Sequence, residues 1–374
     1  MDNPVKKVTV FQYAVIVFLV VGGFFFALKD FETHNSRDNN NLSENKPVIN
    51  FSGSIVPIPL NIELDARKVA LGDKLYHDKR LSKDDSISCA SCHDLAKGGT
   101  DQVKYSTGIK NAVGGINSPT TFNSGFNFVQ FWDGRAQDLA EQAPGPVHNP
   151  IEMGSNWAEV ITKLKKDSQY IKAFAEIYPD NIKPENIADA IAVFEMSLIT
   201  PNSRFDNFLR GDSGALNEQE KEGYRIFKEY GCISCHQGIN IGGNMYQTIG
   251  IMEDYFQHRP LTDADLGRFN ITKLEYNKYQ FKVPSLRNIA VTFPYLHDGS
   301  AETMEEVLSI MWNSQLGRSL TQEENEHILL FLNTLTGEYK GNFLDASMLA
   351  PVSIAWEDKN KVLKAIQTNK QRSS

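Results

Sequence analysis

The chain opens on a long apolar stretch. Residues 8–28, "VTVFQYAVIVFLVVGGFFFAL", contain no charge, and a helix of about 20 residues crosses a ~30 Å hydrocarbon core. Lys6 and Lys7 precede the stretch, which favours a cytoplasmic location for residues 1–7. We therefore predict an uncleaved transmembrane anchor, with the rest of the chain outside the cytoplasm. The alternative is a cleaved signal peptide, but no small-x-small cleavage site follows and the run exceeds the usual ~7–15 apolar residues.

The apolar stretch is followed by a polar one. The segment "NSRDNNNLSENK" lacks apolar periodicity, which is typical of a flexible tether. We predict a polar linker over residues 29–60.

Beyond the linker, apolar positions repeat with helical spacing. "KVALGDKLYHD" and "QEKEGYRIFKEY" each place apolar and aromatic residues three and four positions apart after a glycine, so both predict an amphipathic helix. Later helices are predicted over Glu185–Ile199 and Thr321–Leu335, and the second begins with a capping-box pattern of Thr321 and Glu324. Strand-like alternation is scarce, so the fold class is mainly α with long loops.

Each early helix leads into the same motif, CxxCH. The first copy is Cys89, Cys92 and His93, and the second is Cys232, Cys235 and His236. This spacing is the attachment signature of c-type haem, in which two thiols hold the porphyrin and the histidine ligates the iron. A four-cysteine zinc site would place the pairs about 15–20 residues apart. A redox dithiol would lie beside a βαβ pattern, which is not seen here.

The repeat of helix, motif and later helix predicts two cytochrome c-like haem domains, preceded by the N-terminal transmembrane helix. We place the N-terminal haem domain at residues 61–205 and the C-terminal one at 206–340. The boundary falls near the polar turn "LRGDSGALNEQE".

The composition and the net charge narrow the classes of protein and of partner. The chain has 374 residues and a formal net charge of −8, with 41% hydrophobic and 22% charged residues. That balance is ordinary for a globular protein, and the negative charge argues against nucleic acid while leaving room for a basic protein partner. All four cysteines belong to the two motifs, so there is no disulfide framework.

The ligand on the other face of each iron decides between electron transfer and chemistry at the metal. Spacing alone cannot choose among the remaining histidines and methionines. Several stretches do, however, closely resemble the bacterial di-haem cytochrome c peroxidases, in that family's order, from about residue 60 to 340. The matching stretches are "CHDLAKGGTD", "INSPT", "FWDGRAQDLAEQAPGPVHNPIEM", "TPNSRFDNFLRGD", "GCISCHQGINIGGNMYQTIG", "FKVPSLRNIAVTFPYLHDGS" and "QLGRSLTQEE".

The resemblance implies an electron-input haem in the C-terminal domain and a haem that reduces hydrogen peroxide in the N-terminal domain. His236 and Met311 are then the ligands of the second iron, and His93 is the proximal ligand of the first. A His/Met pair raises the reduction potential, which suits a haem that accepts electrons. The resemblance also implies that residues 341–374, a C-terminal extension, partly return to the first domain.

One departure from the family pattern concerns the first haem. Family members commonly place a blocking histidine in the loop that here reads "STGIKN", at the position of Ile109. Isoleucine cannot ligate iron, so we expect an open first haem that needs no prior reduction. The alternatives are ligation by His148, Lys104 or Lys110.

Further roles follow only from the resemblance. Glu152 is the expected catalytic proton carrier, with Gln142 as its hydrogen-bond partner, and Trp132 is the aromatic residue between the haems. Arg135 is expected to pair with a haem propionate or a local carboxylate. Calcium is expected at the domain interface, where oxygen donors suit it. Its ligands would be Asn117, Thr292 and Pro294.

The sequence thus predicts a membrane-anchored periplasmic di-haem cytochrome c peroxidase with two covalent haem c groups and one Ca²⁺. Its donor would be a small cytochrome c or a copper protein (cupredoxin), and the resemblance also allows a homodimer. The alternatives are a non-catalytic electron carrier or redox sensor, and a tryptophan-oxidising maturation enzyme of the same fold. A protein released from the membrane by signal cleavage is the alternative for localisation.

Overall fold

Helices separated by long loops make up most of the ordered secondary structure. The structure is a computed structural model that describes residues 53–344. Its α-helices are α1 Ala66–Tyr76, α2 Cys89–Cys92, α3 Leu139–Gln142, α4 Pro144–His148, α5 Trp157–Leu164, α6 Ser168–Ile177, α7 Pro184–Ser197, α8 Arg204–Leu209, α9 Glu218–Glu229, α10 Phe269–Thr272, α11 Met304–Ile310 and α12 Gln322–Asn333. A π-helical turn, Met311–Leu316, continues α11. The predicted mainly α character is confirmed for the described residues.

The strands are short and pair locally. β1 (Tyr246–Thr248) and β2 (Gln280–Lys282) are antiparallel, with Tyr246 opposite Lys282. β3 (Glu338–Tyr339) and β4 (Asn342–Phe343) form a second antiparallel pair. The first pair matters for function because it places Lys282 and the loop after β1 beside the second CxxCH motif.

Side-chain caps start the helices that flank the motifs. Asn217 and Glu220 form a capping box at α9, with bonds of 2.9 Å and 2.8 Å. The predicted box at α12 is present as well: the Glu324 amide donates to Thr321 Oγ1 at 3.2 Å, and the Thr321 amide donates to Glu324 at 2.8 Å. Such caps satisfy amides that have no partner inside the helix.

The helix before each motif crosses a later helix at a glycine. A Cβ on Gly72 of α1 would lie 1.9 Å from the carbonyl oxygen of Ala190 in α7. A Cβ on Gly223 of α9 would lie 2.0 Å from the carbonyl oxygen of His327 in α12. Both pairs of backbones therefore approach more closely than any larger residue would allow. We call α1 and α9 the pre-motif helices, and α7 and α12 the closing helices.

Buried apolar side chains gather around each crossing. One cluster joins α1 with α5, α6 and α7 and includes Leu75 and Phe174. Another joins α9, α11 and α12 and includes Phe205 and Phe331. A smaller cluster contains Tyr76, Phe122, Phe194, Leu198, Val291 and Leu344. All described residues belong to one compact unit, and the division into domains at residues 205 and 206 stays a prediction.

The segment before α1 differs from the predicted linker. The expected polar linker extends to residue 60, but Ile55 and Ile58 are buried. Ile55 packs in the cluster around α9 and α12, and the Ile58 amide donates to Asp206 at 3.2 Å. The packed chain therefore begins before residue 61, because two isoleucines within an irregular stretch carry no periodicity that would reveal their burial.

A buried ion pair holds this segment in place. Arg287 and Asp206 are almost fully buried and lie 2.7 Å apart. Arg287 also donates to the carbonyls of Ile239 and Val56, at 2.8 Å and 2.9 Å. A guanidinium with several acceptors tolerates burial that an unpaired charge would not.

Some predictions fall on residues outside the described part. The predicted transmembrane anchor at 8–28 lies there, as do residues 345–374 of the C-terminal extension. Within residues 53–344, none of the helices has the length and apolar character needed to cross a bilayer.

The glycine crossing makes a direct prediction. Gly223→Val should lower the free energy of unfolding by about 3 kcal/mol, because the added methyl groups must displace backbone rather than a flexible side chain. Gly115→Ala is the control, since nothing lies within 4 Å of its Cβ position. Thermal unfolding followed by circular dichroism measures both variants, and equal midpoints would contradict the proposed close approach.

Candidate functional site: two CxxCH motifs and the cavity between them

The two CxxCH motifs adopt the same local turn. In the first, the His93 amide donates to the Cys89 carbonyl at 3.0 Å, and in the second the His236 amide donates to the Cys232 carbonyl at 2.9 Å. The turn brings each histidine back beside its first cysteine. Both motifs can therefore present two thiols and one imidazole to a single flat group.

Both imidazoles are held neutral. Burial lowers the pKa of His236 to about 4, although the nearby carbonyls of Ile241 and Pro284 oppose the shift. Burial also lowers the pKa of His93, opposed by Asp101 and by the carbonyls of Gly99 and Pro119. Neutral imidazole is the form that ligates metals.

The Nδ1 atoms of the two histidines differ in their hydrogen bonding. His236 Nδ1 lies 3.2 Å from the Ile241 carbonyl oxygen, which fixes the ring and leaves Nε2 for a metal. His93 Nδ1 is buried without a hydrogen bond of good geometry within residues 53–344. A buried ring nitrogen without a partner is costly, and a ligand that orients the ring would relieve that cost.

The four cysteines are half-buried free thiols. None of the four is in a disulfide. Burial raises the pKa of Cys89 to about 12 and that of Cys232 to about 11, and it also raises the pKa of Cys92. Redox dithiols instead carry a lowered pKa, so the raised pKa values of these three thiols argue against a redox dithiol.

A cavity of about 500 Å³ opens beside the second motif. Cys232, Cys235, His236 and Met311 all line it, and the closing helix contributes apolar side chains such as Leu332. Met311 begins the π-helical turn, a distortion that recurs at functional sites. The structure thus brings the predicted ligand Met311 and the second CxxCH motif to one cavity.

The cavity continues to the predicted relay and calcium residues. Trp132, Asn117, Thr292 and Pro294 also line it. The Trp132 indole donates to the Asn117 carbonyl at 2.9 Å. The ring lies edge-on to His297, with 6.3 Å between centroids. Trp132 is therefore fixed in orientation at the wall of the cavity.

Arg135 forms an ion pair with a neighbouring carboxylate. Its guanidinium lies 2.9 Å from the Asp133 carboxylate and 3.4 Å from the centre of the Phe131 ring. The local carboxylate, one of the two expected partners, is therefore in contact with Arg135, and pairing with a haem propionate stays a prediction.

Glu152 lies in a turn that restrains its carboxylate. Burial raises its pKa, opposed by a hydrogen bond from Asn149 and by the charge of Arg135. Asn149 Nδ2 donates to Glu152 Oε1 at 2.6 Å. The side chain of Gln142, the expected partner, forms no hydrogen bond within the described residues. Sequence reasoning missed Asn149, although its place three residues before Glu152 in a turn was a usable signal.

The loop that carries Ile109 packs directly against this turn. Ile109 is buried, with 4% of its surface exposed. Its amide donates to the Glu152 carbonyl at 2.8 Å. A Cβ on Gly154 would lie 2.4 Å from Ile109 Cδ1. The position at which the resemblance leads us to expect a blocking histidine is thus filled by an apolar side chain next to the predicted proton carrier.

The alternative ligands for the first haem are exposed. Lys104 and Lys110 lie on the surface. His148 is exposed as well, and its ring lies edge-on to Trp157, with 5.5 Å between centroids. Burial of Ile109 and exposure of these three side chains favour the open first site over ligation by any of them.

A buried charged cluster near Trp132 was not foreseen from the sequence. Asp265 and Asp298 lie 2.6 Å and 2.9 Å from Arg259, and His297 Nε2 lies 2.7 Å from Asp265. Although burial opposes it, Arg259 lowers the pKa of Asp265. The acidic groups and His297 are close enough together to suggest a metal site. The single Arg259 guanidinium already pairs with both carboxylates, so we interpret the cluster as an ion-pair network.

Comparison with known proteins identifies the family. A family model described as di-haem cytochrome c peroxidase matches residues 66–214. The chain is 51% identical to the cytochrome c peroxidase Ccp of Escherichia coli K12, over 76% of this chain and 61% of that protein. It is 44% identical to the cytochrome c551 peroxidase of Nitrosomonas europaea, over 76% of this chain and 84% of that protein. The chain belongs to the di-haem cytochrome c peroxidase family.

Solved structures agree on the fold. A MauG-like protein associated with microbial copper homeostasis is 28% identical and superimposes with a TM-score of 0.67, over 81% of this chain and 96% of that chain. The diheme peroxidase BthA from Burkholderia thailandensis, at 19% identity and a TM-score of 0.65, shares the fold alone, over 78% of this chain and 91% of its own.

These findings confirm the resemblance and the enzyme class, an oxidoreductase of the cytochrome c peroxidase type. As a member of this family the chain carries two haem c groups, and the residues present fit them. Each motif supplies two unpaired thiols and a neutral imidazole, and the second faces a cavity of suitable chemistry. The chain spans only 61% of the Escherichia coli relative, so substrates and partners are argued below as proposals.

Proposed function

We propose that this protein reduces hydrogen peroxide to water with electrons from a small periplasmic cytochrome c or cupredoxin. The reaction consumes one peroxide, two protons and two electrons and yields two waters. The observation that carries the proposal is the half-buried Glu152 carboxyl, on a turn hydrogen-bonded to the loop of Ile109, the position at which the resemblance leads us to expect a histidine ligand. When bound, the first haem supplies the iron at which the O–O bond breaks, and the second supplies an electron.

Glu152 is suited to move the proton that this bond cleavage requires. Its carboxylate accepts the proton from the inner peroxide oxygen and returns it to the outer oxygen, which leaves as water. Burial raises the pKa of Glu152 towards the working pH, and a proton carrier works best near that pH. Asn149 holds one carboxylate oxygen at 2.6 Å and leaves the other for substrate.

Ile109 supports an enzyme that is active without prior reduction. An apolar side chain cannot occupy the sixth position of the first iron. It also excludes water from the neighbourhood of Glu152, which maintains the raised pKa. His93 would hold that iron alone from the protein side.

The haem at the second CxxCH motif would receive electrons from the donor. His236 and Met311 line one cavity and would hold the second iron, which closes it to peroxide and raises its potential. Trp132, fixed by its bond to Asn117, would mediate transfer between the two sites. Members of the tryptophan-oxidising class carry a tyrosine where Met311 stands, so Met311 favours the peroxidase reading.

Calcium fits the wall between the sites. The carbonyls of Thr292 and Pro294 accept no hydrogen bond from the described residues. The Asn117 amide nitrogen is engaged by the carbonyls of Val103 and Lys104 at 3.1 Å and 3.3 Å, which leaves its oxygen free to ligate. Three oxygen donors lining one cavity, completed by waters, suit Ca²⁺. The residues offer no carboxylate, so the affinity is expected to be modest.

The setting of the reaction follows from the attachment chemistry and the sequence. Haem c attachment and the apolar run at 8–28 favour a periplasmic protein anchored by that run, with signal cleavage as the alternative. The net charge of −8 favours a donor with a basic face. A homodimer is compatible with this arrangement.

The first test is a steady-state assay with reduced small cytochrome c and hydrogen peroxide. The parent should turn over, and Glu152→Gln should lose about 10²–10⁴-fold in rate because it cannot carry the proton. Exposed Glu185→Gln is the matched control and should keep parent activity. Equal rates for the parent and Glu152→Gln, or no turnover in the parent, would refute the proposal.

The open-site proposal predicts a spectroscopic outcome. The fully oxidised parent should show one high-spin and one low-spin haem by low-temperature EPR. Ile109→His should convert the high-spin signal to low-spin and make activity depend on prior reduction, because it restores a ligand. Val113→His, on an exposed position of the same loop (62% exposed), should change neither. An EPR spectrum in which both haems of the oxidised parent are low-spin would refute the open-site proposal.

The restraint on Glu152 predicts a pH effect. Asn149 stabilises the charged carboxylate, so Asn149→Asp, which removes the donor and adds a like charge, should raise the pKa of Glu152 further. Because the ionised form accepts the proton, the acid limb of the kcat/KM profile should move up by about one pH unit or more. Asn186→Asp is the control: the half-buried Asn186 side chain likewise donates to a carboxylate, that of Asp180, at 2.7 Å, and this variant should leave the profile unchanged. An unmoved acid limb in Asn149→Asp would show that Glu152 does not control it.

A further inference from the structure

Lys282 is a buried cation that lacks a protein counter-charge. Only 7% of its surface is exposed. Its ammonium donates to the Val129 carbonyl at 3.1 Å, and it forms no ion pair with a carboxylate among residues 53–344. An ammonium has three N–H donors, so two of them lack a protein partner in a dry environment.

The nearest carboxylate is already engaged. Asp133 is the charge that acts on Lys282, but its oxygen lies 2.9 Å from the Arg135 guanidinium. Burial lowers the pKa of Lys282 to about 8, and Asp133 only partly opposes this. A buried charge of this kind is costly unless an anion pairs with it.

The place of Lys282 indicates where that anion lies. Lys282 ends β2, and its amide donates to the Trp132 carbonyl at 2.8 Å. It lines the same cavity as Cys232, His236 and Met311, and it is the only lysine, arginine, aspartate or glutamate in that lining. The cavity is the place at which the second CxxCH motif would hold a haem c group, whose two propionates are its only anionic substituents.

We propose that Lys282 is the propionate-binding, positioning residue of the second haem and that its charge raises the reduction potential of that haem. The unused N–H donors meet a propionate oxygen within the cavity. A fixed positive charge in a medium of low dielectric favours the reduced iron, which carries one positive charge less. This inference concerns the second haem alone and holds whether or not the first haem turns over peroxide.

The test is the midpoint potential of the low-spin His/Met haem, measured by optical spectroelectrochemistry. Lys282→Met keeps the length of the side chain and removes the charge, so the reduction equilibrium should shift at least about tenfold towards the oxidised form, which is ~59 mV for one electron. Lys282→Arg, which restores the charge, should recover most of the shift. Lys273→Met, on an exposed position that precedes β2, should leave the potential unchanged.

A purely structural role for Lys282 would give a different pattern. If the ammonium serves only to hold the Val129 loop, Lys282→Met should lower the unfolding midpoint while the potential stays within twofold of the parent equilibrium, and the proposal would be overturned. If neither Lys282 variant takes up haem, a crystal structure of the parent holoprotein decides. A propionate oxygen within 3.5 Å of Nζ supports the proposal, and propionates placed elsewhere overturn it.

Discussion

The rest of this structure depends on the close crossing of the pre-motif and closing helices. Gly72 and Gly223 let each pair of backbones meet at a distance that no side chain would permit. That approach fixes the end of each pre-motif helix, and so the position from which the chain turns into CxxCH. Apolar residues one turn further along the same helices, such as Leu75 and Phe227, are buried beside the crossing. Each CxxCH motif is too short to have a core of its own. The helix crossing gives it a rigid support, which holds the cysteines and the histidine in place for a covalent cofactor.

The same scaffold builds two chemically different sites. Superposing the crossings places Phe194 of α7 opposite Phe331 of α12, because each packs against the glycine of its partner helix. The next residues then correspond: Glu195 in α7 and Leu332 in α12. Leu332 lines the apolar cavity of the second motif, whereas Glu195 is a buried carboxyl whose pKa burial raises to about 8. One helix position thus separates the apolar cavity at the second motif from a region that contains a protonatable carboxyl.

Part of this arrangement could be predicted from the sequence because its signals are local. The CxxCH spacing, the Thr321 and Glu324 capping box and the helical periodicity each depend on residues within a few positions of one another. The absence of a histidine at Ile109 could be found by counting along a resembling motif. In each of these features, the residues that interact are the same neighbouring residues that form the sequence pattern.

The remaining features could not be predicted because they join residues far apart in the chain. Arg287 reaches Asp206 and Val56 across the fold, and Arg259 neutralises Asp298. The sequence around Lys282 contains no pattern that indicates burial, so the residue would be interpreted as an ordinary surface lysine at the end of a short strand. The sequence alone did not identify Asp133 as the carboxylate in contact with Arg135, at 2.9 Å.

The replacement at Ile109 changes what holds the catalytic loop. A histidine at this position could fix the loop through a bond to iron, and breaking that bond could release the loop. Here the loop is fastened to the Glu152 turn by a backbone hydrogen bond of 2.8 Å. Gly108 adds a tight approach, since a Cβ on it would lie 2.0 Å from the Ile151 carbonyl. Burial of the isoleucine contributes about 2 kcal/mol more.

None of those contacts depends on the oxidation state of a metal. Hydrophobic burial and amide hydrogen bonds are the same whether an iron nearby is ferric or ferrous, whereas a histidine–iron bond is not. The loop and the carboxyl of Glu152 should therefore keep one arrangement throughout a catalytic cycle. If the first site is open, as we propose, packing rather than redox state would then set its readiness, and no activating electron would be needed.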